Sequence, residues 1–174
     1  MVAIAFACCA LLTYAATALA GSAGRSQGKT GTGPGTRTKV TLGNPTCTHF
    51  VVAPQPTAAK AGRVTFVVSN KGTLGHPFCG KGAYRTPNTP DTHEFVVLKT
   101  NLPPGKLPLK AGSVPGYGDK EAVEVGRVAE LQELEPGQTR TLTLNLKPGK
   151  YVLLCNIHGH YQLGSYAAFR VTSG

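Results

Sequence analysis

From Lys39 onward the chain alternates apolar and polar positions in short runs, and Gly, Pro and Asn break each run before a helical period can build up. In Arg63–Ser69 the side chains of Val64, Phe66 and Val68 fall on one face. In Thr139–Leu146, Leu142, Leu144 and Leu146 do the same, with Thr141, Thr143 and Asn145 opposite. A period of two sends neighbouring side chains to opposite faces, so each run is a strand with one buried side. Further strands are expected at Lys39–Leu42, Phe50–Ala53, Glu94–Lys99, Lys150–Cys155 and Tyr166–Thr172, joined by turns such as Glu135-Pro136-Gly137 and Lys147-Pro148-Gly149. Roughly seven or eight such strands bury their apolar faces against one another, which predicts an all-β sandwich.

Four stretches break the alternation. Gly75–Asp91 is rich in Gly, Pro, Asn and Thr and reads as a loop near the sheet end that carries His76 and Cys79. Asn101–Glu124, rich in Pro and Gly, reads as a long surface excursion, and Lys120–Leu134 admits either a short helix or an extra strand. Gly21–Thr38 holds Gly, Ser, Thr and a few basic residues with no apolar period, the composition of a flexible tether. Met1–Ala20 has no charged side chain and ends in Ala18-Leu19-Ala20 before Gly21, the small-x-small pattern of a signal-peptidase site. No Lys or Arg precedes that apolar run and its length suffices to span a bilayer, so an uncleaved amino-terminal anchor is the alternative to a cleaved export signal. What remains is one domain over residues 39–174, of ordinary domain size.

The net charge of +10 arises from 18 Lys and Arg against 8 Asp and Glu, none of them in the export segment. An exported, basic, monomeric domain is expected, periplasmic or extracellular and held near a membrane if the tether stays attached. Such a charge steers an acidic redox partner or favours an anionic surface. Nucleic acid is excluded as a partner, because the basic residues are scattered and no helix carries a basic stripe.

The chemistry is concentrated near the carboxy terminus. Tyr151-Val-Leu-Leu-Cys155 is an apolar strand ending on a cysteine, and Asn156-Ile-His158-Gly-His160 follows across a tight turn. Thiolate and imidazole are ligands of copper and zinc. A rigid strand end and a short Gly-bearing loop let Cys155 and His160 aim at one point. With the export segment removed, three cysteines remain, Cys47, Cys79 and Cys155. If Cys155 holds a metal, an oxidising compartment leaves Cys47 and Cys79 to form a disulfide.

A strand-ending Cys, a His at plus five and a further residue at plus ten resemble the ligand loop of the cupredoxins, the type 1 blue copper proteins. Here these are Cys155, His160 and Ser165. The resemblance extends through Leu146-Lys-Pro-Gly-Lys-Tyr-Val-Leu-Leu-Cys-Asn-Ile, Gly159-His-Tyr and Tyr166-Ala-Ala-Phe-Arg-Val-Thr172. Upstream it takes in Thr65-Phe-Val-Val-Ser-Asn-Lys-Gly-Thr73 and His93-Glu-Phe-Val-Val-Leu-Lys-Thr100, so that it spans Val40 to Thr172. It implies a Greek-key β-sandwich holding one copper by two histidines and a cysteine, His93, Cys155 and His160, and carrying single electrons.

The chain departs from the family pattern at three places. Ser165 stands where an axial methionine is usual, and the only Met is Met1, so the axial side is left to three-coordinate copper, to water, to Ser165 oxygen or to an apolar cap by Leu163. His158 stands where proline is usual, which makes it the alternative to His160. Gly75–Asp91 gives the first histidine two candidates; His93 is preferred because the following strand can hold it, and His76 is the alternative. Glu94 and Asn156 flank the ligands as hydrogen-bonding supports.

Other functions fit less well. The five histidines, 49, 76, 93, 158 and 160, are too few for the trinuclear centre of a multicopper oxidase. Gly159 occupies the place where a binuclear copper centre needs a second cysteine. No Ser-His-Asp set, carboxylate pair or phosphate-cradling glycine loop stands out, so the expectation is a carrier rather than an enzyme. A copper-delivery module and a metal-free interaction domain are the alternatives.

Overall fold

In a computed structural model, residues 35–46, 48–72, 92–111 and 120–173 are described. Nine strands run in chain order: β1 Thr36–Thr46, β2 His49–Gln55, β3 Ala58–Lys60, β4 Gly62–Asn70, β5 His93–Lys99, β6 Arg127–Leu134, β7 Thr139–Leu146, β8 Gly149–Leu154 and β9 Tyr166–Thr172. They form two sheets, one in the order β2-β1-β4-β7 and the other in the order β3-β9-β8-β5-β6. Pairing is antiparallel except for β1 with β4 and β3 with β9, so the chain crosses between layers as a Greek key requires. None of the described residues forms an α-helix, and no helix among them is long and apolar enough to cross a membrane.

The period-two runs produce the interior. Val40, Leu42, Val64, Phe66 and Val68 from the first sheet meet Phe95, Val97, Tyr151, Leu153, Phe169 and Val171 from the second. At the centre the Phe66 ring lies 5.4 Å from Phe95 and 5.2 Å from Phe169, in tilted and edge-on contacts that suit the aromatic quadrupole.

The second sheet has another buried face. Val96, Leu98, Val152 and Leu154 point outward, away from the sandwich interior, yet are buried beneath Leu107, Ala122 and Tyr161. This double burial explains why Phe95-Val-Val-Leu98 and Tyr151-Val-Leu-Leu154 read as unbroken apolar runs rather than alternations. It also corrects the expectation for Asn101–Glu124. Its described parts are not a free surface excursion but a cover over the outer face, fixed by an antiparallel bridge between Leu109 and Ala122.

Three further differences concern boundaries. The tether was expected to reach Thr38, but β1 begins at Thr36 and pairs Thr36–Thr38 with Val64–Phe66. The polar Thr38 is buried there, because backbone pairing beside a buried neighbour outweighs its own polarity. The undecided stretch ahead of Glu135 supplies strand β6 at its carboxy-terminal end. The short β3 has too few residues to display an alternation. The export segment, nearly all of the tether, His76 and the expected Cys47–Cys79 disulfide lie outside the described residues.

Candidate metal centre

Two adjacent strands bring the ligands together. In the antiparallel register Val96 of β5 faces Leu154 of β8, which carries His93, at the start of β5, toward Cys155, just beyond the end of β8. The crossing is tied by two hydrogen bonds: the Glu94 amide donates to Cys155 Sγ at 3.3 Å, and the Asn156 amide donates to Glu94 Oε1 at 2.8 Å.

The loop after Cys155 then folds back on itself. His160 N donates to Ile157 O at 2.9 Å, Leu163 N to Gly159 O at 3.1 Å, and Ser165 N to His160 O at 3.0 Å. Cys155 N closes the loop by donating to Ser165 O at 3.0 Å. Such tight curling needs left-handed backbone at Gly159 (φ 79°) and Gly164 (φ 98°), which only glycine adopts without strain. A Cβ on Gly164 would also press on Phe50 O at 3.3 Å.

As a result, one ligand atom each from His93, Cys155 and His160 lies within 4.8 Å of the others, and Cys155 Sγ is 3.3 Å from His160 Nδ1. All three side chains are buried. Phe50 of β2 closes the site, its ring 4.4 Å from that of His160 and 5.8 Å from that of His93. Sequence reasoning missed Phe50, since a phenylalanine in a strand looks like any core residue.

Burial sets the charge state. It lowers His93 to a pKa of about 4, and burial together with the neighbouring His93 lowers His160 to about 3. Burial, then the nearby Glu94 carboxylate, pushes the Cys155 thiol up to about 12. At neutral pH the three ligands are therefore uncharged without a metal, with both imidazoles ready to donate lone pairs and the thiol carrying a proton that a metal must displace. Glu94 is itself raised to about 7, first by burial, and stays that high although the Asn156 amide pulls the other way.

Neither ring nitrogen of His93 has a hydrogen-bond partner, nor has the Ser165 hydroxyl, although all are buried. An unpaired polar atom in a protein interior costs about 1–3 kcal/mol, and a metal ion at the cluster would complete one nitrogen of His93. Two imidazoles, one thiolate and no further strong donor suit copper, whose type 1 sites are trigonal with a weak axial contact, better than zinc, which takes four firm ligands.

The remaining candidates fall elsewhere. His158 is not in the cluster: its side chain is 42% exposed, and Nδ1 lies 3.1 Å from Glu121 Oε1. It borders a groove lined by Glu94, Glu121, Glu124, Glu130 and Glu133. Leu163 is half-buried and its carbonyl accepts from Phe50 N at 2.9 Å. Ser165 is fully buried and close enough to Cys155 to ease the rise of its thiol, without a hydrogen bond of good geometry.

No protein-family model and no curated protein matches the chain. Among solved structures it is similar to a dithionite-reduced auracyanin from the photosynthetic bacterium Roseiflexus castenholzii, at 21% identity and a TM-score of 0.48 over 80% of this chain and 98% of that one. An azurin from the methylotroph Methylomonas sp. strain J gives 15% identity and 0.48 over 79% and 98%. Rusticyanin from Thiobacillus ferrooxidans gives 19% and 0.42 over 80% and 79%. A multicopper oxidase gives 12% and 0.45 over 80% of this chain and 45% of its own length. Likeness at this level carries no functional weight, and the assignment rests on the chain's own topology and ligand atoms. Two sheets crossed as a Greek key hold a Cys-His loop between the last two strands, facing a histidine at the start of β5. The fold is cupredoxin-like. Its ligand loop occupies the turn between β8 and β9.

Proposed function

We propose that this protein is an exported mononuclear copper carrier that passes single electrons between redox partner proteins and catalyses no reaction of its own. The observation that supports this most is the meeting of His93, Cys155 and His160 ligand atoms within 4.8 Å at the end of a sheet. Copper bound there supplies a one-electron couple in a geometry that both of its oxidation states tolerate.

The protein's own residues do the rest. The Glu94 amide aims at Cys155 Sγ and stabilises the thiolate once its proton has left. Phe50 and the surrounding core keep water and small substrates away from the ligands, which suits a carrier better than an enzyme. Strands β5 and β8 hold the ligands in place, which keeps the structural cost of each electron transfer small. On the axial side Ser165 is favoured over Leu163, since its buried hydroxyl lacks a partner. The net charge of +10 favours an acidic partner protein.

Titration of the protein with cupric ion, followed by optical absorption, tests this reading. One equivalent is expected to produce an intense thiolate-to-copper band and a reversible voltammetric wave. Copper bound without the band, and surrendered readily to a chelator, would favour a delivery module instead. No binding at all would leave only an interaction domain.

A further inference from the structure

Two residues on the outer side of the ligand loop share an arrangement that copper binding alone does not require. Asn156 follows Cys155 in the chain, and Tyr161 follows His160. Both are buried, and both side chains reach residues 101–111 and 120–124, which cover the second sheet. The Asn156 amide accepts from Ala122 N at 2.7 Å and donates to Ala122 O at 3.0 Å and Glu124 Oε1 at 2.6 Å. The Tyr161 hydroxyl accepts from Leu107 N at 2.8 Å and donates to Pro104 O at 2.7 Å. The two stretches reached are themselves paired, Lys110 N donating to Glu121 O at 2.8 Å and Val123 N to Pro108 O at 2.7 Å.

We propose that this paired segment is a strap that braces the metal ligands from behind, with Asn156 and Tyr161 as positioning residues for Cys155 and His160. The proposal rests on the copper reading. Consecutive residues share a rigid peptide plane, so a side chain fixed at two or three points narrows the directions in which its predecessor can leave the backbone. Four of the five bonds end on backbone groups, whose charge is constant. Each ligand of the loop is thus followed at once by its own anchor in the same strap.

The test compares three variants of the full chain loaded with copper. Tyr161→Phe removes two hydrogen bonds and keeps the ring; Asn156→Ala removes three. Tyr151→Phe removes a hydroxyl bonded to Lys147 O at 2.8 Å in the same sheet but off the strap, and so controls for a general loss of stability. Competition with a chelator measures copper affinity, while absorption and electron paramagnetic resonance report the thiolate geometry. Tyr161→Phe and Asn156→Ala are each expected to weaken copper binding by about 10–100-fold and to shift the thiolate band, as the loss of groups supporting a metal ligand generally does. Tyr151→Phe is expected to change neither. Wild-type affinity and spectrum in Tyr161→Phe would overturn the strap, whether or not Asn156→Ala folds. A wild-type protein that acquires no thiolate band refutes the copper reading itself, and the strap with it; a coloured wild type with indifferent variants refutes the strap alone.

Discussion

The two sides of the loop from Cys155 to Ser165 treat polar atoms in opposite ways. On the outer side, Asn156, His158, Tyr161 and Gln162 all have partners, down to the Gln162 side-chain oxygen that accepts from Lys120 N at 2.7 Å. On the inner side, the nitrogens of His93 and the hydroxyl of Ser165 have none. Only two other buried side-chain atoms among the described residues lack a partner, single oxygens of Thr38 and Asn44 in β1. Satisfied groups hold the loop in shape; the unsatisfied ones gather where a cation fits. The contrast separates structural polarity, as in the bonded side chains of Asn156 and Tyr161, from polarity kept free for a ligand, as in His93.

The contrast is broken most severely on the inner side. Cys155→Ser should abolish the thiolate-to-copper band altogether, read by absorption during copper titration; a serine variant that keeps the band would mean that another sulfur binds. His93→Ala and His160→Ala should each cost at least about tenfold in copper affinity and distort whatever band remains, whereas equal behaviour of either with the wild type would remove that residue from the centre.

Proton linkage probes the same side. The Cys155 thiol, pushed up to about 12, must lose its proton on binding, while His93 at about 4 and His160 at about 3 are already neutral. Between about pH 7.5 and 9, apparent copper affinity should therefore rise about tenfold per pH unit, one proton released per ion. In the metal-free protein the sign comes from the histidines. Their folded pKa values lie below the unfolded value, so the unfolded chain binds more protons and stability is lost as pH falls from about 6.5 toward 4. Glu94, raised to about 7, works the other way but is one group against two. Thermal unfolding of the apoprotein should move to lower temperature over that range, and a flat profile would contradict the burial of the imidazoles. The smallest effect is expected from His158→Ala: the band should stay in place, and stability should change by less than about 1 kcal/mol, the scale of an exposed ion pair.

Much of the architecture was legible because it depends on side-chain period. Strands β7 and β9 coincide with their expected ranges, and β4 extends its own by one residue at each end. Strand β6 was not legible, since its register slips twice against β5 and its burial follows no alternation. In the centre, the spacing of Cys155 and His160 is local and could be read directly. Phe50 and the cover formed by residues 101–111 and 120–124 could not. The one acts through packing, and the other is held by backbone atoms of Pro104, Leu107 and Ala122, whose positions no residue type encodes.

Cys155 and His160 are sequence neighbours, whereas His93 reaches them only when β5 and β8 pair. An unfolded chain thus already offers a two-point grip to a soft ion, and metal captured before folding is bound by the wrong state. Because affinity for the denatured chain subtracts from the stabilisation that a ligand confers, copper should raise the stability of the fold by less than its affinity for the native centre alone would give. How much of the metal's grip is converted into stability of the fold is therefore set by the spacing of three side chains.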